Sequence, residues 1–171
     1  MKTTSQRGQR GTQIVELAIV MPLLIFMALV VSEGAAFVRV HQVLNNAARE
    51  SARLSVLPEN HGSAAIPYLQ DTATCYMVRN GVIPPAGQVP SGCPVAATTP
   101  TCNTYSVAIN QSLIVPTPSG INMTASKVQV TCGYGLKYLP RLPWFGVQNV
   151  VNLGGSVVFR NFYGLDPSGG G

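Results

Sequence analysis

Glu16 is the one charged residue among the 18 positions from Ile14 to Val31, in the stretch RGTQIVELAIVMPLLIFMALVV that runs from Arg10 to Val31. A carboxylate among apolar residues is costly to ionise away from water. Such a group either reaches back to a polar boundary or meets an opposite charge, and position alone leaves both open. Few other residues have types and spacing suited to chemistry. Cys75, Cys93, Cys102 and Cys132 contain no C-x-x-C pair, which argues against a zinc or thioredoxin-type site. In an oxidising compartment they would form disulfides, with three connectivities open. His41 and His61 have no carboxylate or cysteine neighbours at metal-ligand spacing, and the six acidic residues make no general acid/base pair. The glycines of NLGG, GYG and SGGG lack the Lys/Ser context of a phosphate cradle and read as turn and tail glycines. These observations point away from an enzyme and give no catalytic residue, no metal and no cofactor. Asn110-Gln111-Ser112 and Asn122-Met123-Thr124 match the glycosylation sequon, a three-residue pattern that chance supplies easily.

The elements that must position Glu16 and the cysteines follow from composition and period. Charged residues make up 10% of the 171-residue chain, against roughly 25% in a typical soluble domain. Lys2, Arg7 and Arg10 contribute three of the formal net charge of +5 from a leader without acids. A basic tail beside an apolar run fits a cytoplasmic flank under the positive-inside rule. No later basic stretch interleaves with aromatics as a nucleic-acid surface would. The leader, Met1 to Gly11, lacks apolar periodicity and is expected to be disordered. Ile14 to Val31 would span about 27 Å as a helix, close to the ~30 Å of a bilayer core.

The helical pattern then changes character. Val40, Val43, Leu44, Ala47 and Leu54 recur on one face, with Arg39, Gln42, Asn46, Arg49 and Arg53 opposite. Carried to Leu57, before the stop signal of Pro58, the helix would run about 45 residues or ~68 Å. A shorter helix is expected from Ala64 to Asn80, with Pro67 in its first turn and Gly81 as its stop. Gly81 to Asn103 is rich in Pro, Gly and Thr and reads as an irregular loop, long enough to favour an internal staple. The expected pairing is therefore Cys93 with Cys102 and Cys75 with Cys132.

Beyond the loop the period becomes two. Tyr105, Val107 and Ile109 alternate with Ser106 and Ala108. Val128, Val130, Cys132, Tyr134 and Leu136 share one face opposite Gln129 and Thr131, and a third strand begins at Gly155 through SVVFRNFY. The fold class is thus α+β: a long N-terminal transmembrane helix continues as an amphipathic helix that packs on a small antiparallel sheet. LPRLPWFG, Leu139 to Gly146, reads first as a turn capping the core. Glu33 reads as the point where the helix leaves the membrane. Arg49, Glu50 and Arg53 read as a solvated helix face.

A short basic leader, Gly11, four residues, then Glu16 opening an apolar helix together resemble the prepilin class of type IV pilin-like proteins. The stretch Ser32 to Val56 narrows the resemblance. Asn46-Ala47-Ala48-Arg49-Glu50-Ser51-Ala52-Arg53, with Glu33-Gly34 where the family shows an acid-x-Gly-type exit and Pro22 in the apolar run, is similar to the TadE-like family of tight-adherence (Flp) pilus systems. The resemblance covers about residues 10 to 57. It implies a minor pilin or pseudopilin that a prepilin peptidase cuts between Gly11 and Thr12. The large ectodomain argues against the major Flp pilin. Glu16 would then pair with a neighbouring subunit's Thr12 amine.

The implied layout is a basic cytoplasmic leader over 1–11, a transmembrane helix over 12–33, an extracytoplasmic pilin-like domain over 34–165 and a flexible tail over 166–171. Expected partners are the prepilin peptidase, other pilins, pilus-assembly membrane components and the lipid bilayer of the bacterial inner membrane, without nucleic acid or a small-molecule substrate. A signal-anchored envelope receptor or binding module with an uncleaved tether is the competing class. Cleavage by ordinary signal peptidase after Ser32 and Gly34 is a third.

Overall fold

The computed structural model describes residues 7–94, 101–116, 122–137 and 150–161, with side chains from residue 14 onward and none described for Pro58. Helix α1 runs from Arg7 to Ser55, 49 residues, or about 73 Å. It begins inside the leader expected to be disordered. Once an apolar helix is nucleated, adding a turn costs little, and Arg7 to Gly11 continue it. Residues 1–6 lie outside the described residues. Pro22 sits inside α1 without ending it. At the far end Pro58 follows, in a short 3-10 turn from Pro58 to Asn60, because a residue before proline is driven from helical backbone.

Helix α2, Ile66–Arg79, carries Pro67 in its first turn, where the missing N–H has no partner to lose. Its end is closed by Gly81 at φ +78°. The Gly81 N–H donates to Val78 O and the Val82 N–H to Met77 O, both at 3.0 Å. That paired pattern satisfies the last carbonyls and needs the left-handed conformation that glycine adopts without strain.

Among the described residues, β1 (Cys102–Pro116), β2 (Asn122–Gly135) and β3 (Val150–Arg160) form an antiparallel sheet in the order β1-β2-β3. Val128, Val130, Cys132 and Tyr134 face inward and are buried, as their alternation requires. The outer face is polar, with the hydroxyls of Ser106 and Thr131 hydrogen-bonded at 2.6 Å across β1 and β2. Val40, Val43, Leu44 and Ala47 of α1 close the inner face together with Ala73 and Met77 of α2. Arg39, Gln42, Asn46, Arg49 and Arg53 are all exposed, which bears out the amphipathic reading.

Two further expectations are corrected. The disulfides join Cys75 to Cys93 and Cys102 to Cys132. Strand register decides the second. Cys102 stands opposite Tyr134, two residues from Cys132 and on the same inner face, so these cysteines are diagonal neighbours. Strand β3 starts at Val150, five residues before Gly155, because Gly154 and Gly155 are sheet residues and not a turn. A Cβ on Gly155 would lie 2.7 Å from the Leu44 carbonyl carbon and the Asn45 nitrogen, so glycine is what lets α1 approach the sheet here. Leu139 to Gly146 and residues 95–100 lie outside the described residues, as does the tail.

Candidate functional site

Gly11, Thr12 and Glu16, the residues expected to serve in processing and assembly, all lie in the first half of α1. Glu16 is exposed on it, and so are Ile14, Leu17, Ile19, Leu23 and Leu24, with Ile19 at 72%. None of this apolar segment is buried against the rest of the chain, which separates it from the core helix of a soluble domain. By length and composition α1 is able to cross a membrane. The Gly11–Thr12 bond lies within the helical backbone, and Thr12 and Glu16 are four positions, about one turn, apart.

Glu33 behaves oppositely. It lies 17 positions, about 26 Å, further along the helix. It is 2% exposed, and its Oε1 accepts the Lys137 backbone N–H at 3.1 Å. Reading it as a mere exit marker missed this, since the partner comes from beyond β2, 104 residues away. Arg39, two turns later, donates from Nη2 to the Asn80 carbonyl at 3.4 Å, beside Gly81. The membrane-proximal end of the domain is therefore pinned to the helix from two sides.

The distal end is pinned by amides. Gln111 accepts from the Gly62 N–H and donates to the Asn60 carbonyl, both at 2.8 Å. Asn161 donates to the Gln111 carbonyl at 2.8 Å and accepts from the Ser126 hydroxyl at 2.6 Å. No signal short of the register would have identified these two residues, because each bridges segments about 50 residues apart.

Asn45 Nδ2 lies 3.0 Å from His41 Nε2, and His61 sits in the loop before α2. Among the described residues no group of three or more His, Cys, Asp or Glu is placed to hold a metal ion. The Tyr105 hydroxyl is pushed up to about 12, chiefly by burial, with the Asp71 charge adding to it and the Thr74 hydroxyl, 2.8 Å away, opposing it. It stays protonated at neutral pH and is no base. All four cysteines are in disulfides, so no thiol among them is free to attack.

A small α+β domain carried on a helix with a bare apolar half defines a class: a domain built on one long helix whose first half is apolar and long enough to serve as a membrane anchor. Within that class, the family model described as TadE-like protein matches residues 11–53, the segment from Gly11 through the amphipathic half of α1. The match points to a protein associated with Tad pili. No curated protein and no solved structure matches the chain.

Proposed function

We propose that this chain is a TadE-like minor pilin or pseudopilin that takes part in assembling a tight-adherence, Flp-type pilus. The observation that carries the reading is Glu16: a solitary exposed carboxylate one turn beyond the Gly11–Thr12 bond, on a helix bare of cover through its apolar run. Cleavage at that bond by an inner-membrane prepilin peptidase gives Thr12 a new positive amine. Thr12 and Glu16 lie in the first turn of that membrane segment, at its cytoplasmic edge, where an amine or a carboxylate drawn out of water without a partner is costly. An amine and a carboxylate from adjacent helices that meet there offset each other's penalty and set the axial register between subunits. Residues 1–11 are the cytoplasmic leader, 12–33 the membrane segment, 34–165 the extracytoplasmic domain and 166–171 the tail. The other partners are pilins and membrane components of the assembly machine.

The test is the amino terminus of the protein recovered from membranes, read by intact mass and terminal sequencing, with and without co-expressed prepilin peptidase. A chain beginning at Thr12 only with the peptidase supports the reading. A chain beginning at Met1 in both sinks it and leaves the signal-anchored envelope module. Glu16→Ala is expected to insert into the membrane normally and fail to enter the pilus; normal piliation would overturn the amine-carboxylate pairing.

A further inference from the structure

A cavity of about 350 Å³ opens where α1 meets the domain's membrane-proximal end, within the size range of small-molecule sites. Among the described residues it is lined by Ala35, Arg39, Gly81, Thr101, Tyr134 and Lys137, and the two charged groups among them are both cations. Glu33, the acid on this stretch of α1, is buried and turned to the Lys137 backbone. Arg39 is held in place, its guanidinium against the Asn80 carbonyl and 3.5 Å from the point where a Gly81 Cβ would stand.

The height of the cavity identifies its occupant. Val31 closes the apolar run; Ala35 follows about 6 Å along the helix axis and Arg39 about 12 Å. The polar layer on one side of a bilayer is roughly 5–7 Å deep. Helical side chains lean towards the helix N-terminus, here towards the membrane, and a long arginine stem extends that reach. We propose that this cavity seats the phosphate of an anionic phospholipid headgroup from the leaflet facing the domain, with Arg39 and Lys137 as its two cations. The inference rests on reading Ile14 to Val31 as a membrane span. Phosphate is the shared chemistry of a headgroup and of the free ion, and the apolar run directly below the cavity favours the lipid.

The experiment uses the full chain. Carbonate extraction first establishes that it is integral to the membrane; release by carbonate sinks the membrane reading itself. The integral protein, purified in detergent, is offered phosphatidylglycerol or phosphatidylcholine, and retained lipid is counted by native mass spectrometry. Phosphatidylglycerol is expected to be retained preferentially. Retention should weaken about fivefold for each cation removed in Arg39→Gln and Lys137→Gln. Lys137→Gln leaves the backbone N–H to Glu33 in place, so its effect is read in an intact domain. Arg49→Gln and Arg53→Gln, also exposed but at least 15 Å further up the helix, should change nothing. Equal retention of both lipids, or equal loss in all four variants, overturns the proposal. Binding of inorganic phosphate without preference for phosphatidylglycerol overturns the lipid assignment.

Discussion

The backbone N–H of Lys137 donates to Oε1 of Glu33 at 3.1 Å, tying the chain just past the central strand to the helix where its apolar run ends. A buried carboxylate is costly unless its charge is met by donors, and this one accepts from a segment 104 residues away. Glu16 and Glu33 thus sit oppositely along one helix: the first is exposed and the second is buried beside the chain that follows β2.

Glu33→Ala should therefore destabilise the domain by about 1–3 kcal/mol, since the Lys137 N–H loses its acceptor. Glu33→Gln keeps an uncharged acceptor and should cost about 1 kcal/mol. Denaturant unfolding of the full chain in detergent reads the difference. An unchanged midpoint for the alanine variant would show that the hydrogen bond holds nothing.

The paired glycines of β3 predict opposite outcomes for one added methyl. Gly155→Ala places a Cβ 2.7 Å from α1 backbone and should cost about 1–3 kcal/mol as helix and sheet move apart. Gly154→Ala meets nothing nearer than 3.8 Å and should stay within about 0.5 kcal/mol of the parent. Thermal unfolding of the two variants side by side decides it; equal losses would place the close approach elsewhere.

Peptide mapping without reductant should recover Cys75 linked to Cys93 and Cys102 linked to Cys132. Replacing Cys102 and Cys132 together by alanine should cost about 3–4 kcal/mol from the loop they close. A peptide joining Cys93 to Cys102 would refute the register between β1 and β2.

What the sequence made legible was whatever depends on neighbours in the chain. Val40, Val43 and Leu44 against Arg39 and Gln42 state which face of α1 is buried, and Val128 to Tyr134 state which face of β2 is inward. Pro67 and Gly81 mark both ends of α2. The misjudged features depend on register between distant segments. Cys102 finds Cys132 through strand pairing, not through loop length. Gly154 and Gly155 look like a turn until the helix passing over them is known. Glu33 looks like a solvent-exposed boundary until Lys137 arrives. The TadE-like pattern over residues 11–53 is local and could be read directly, whereas the Arg39–Lys137 cavity needs four separate segments to be assembled.

Glu33 and the Gly155 contact at Leu44 grip α1 at two points 11 positions apart, about 17 Å along its axis. Two grips on one continuous rod leave no joint between the domain and the apolar half. Any displacement of this rod along its own axis is then copied by the domain at about 1.5 Å per residue. Rotation about the axis is copied as well. On the proposed reading, in which the apolar half lies in a bilayer, the domain's height and heading would report how far its own helix had been drawn out.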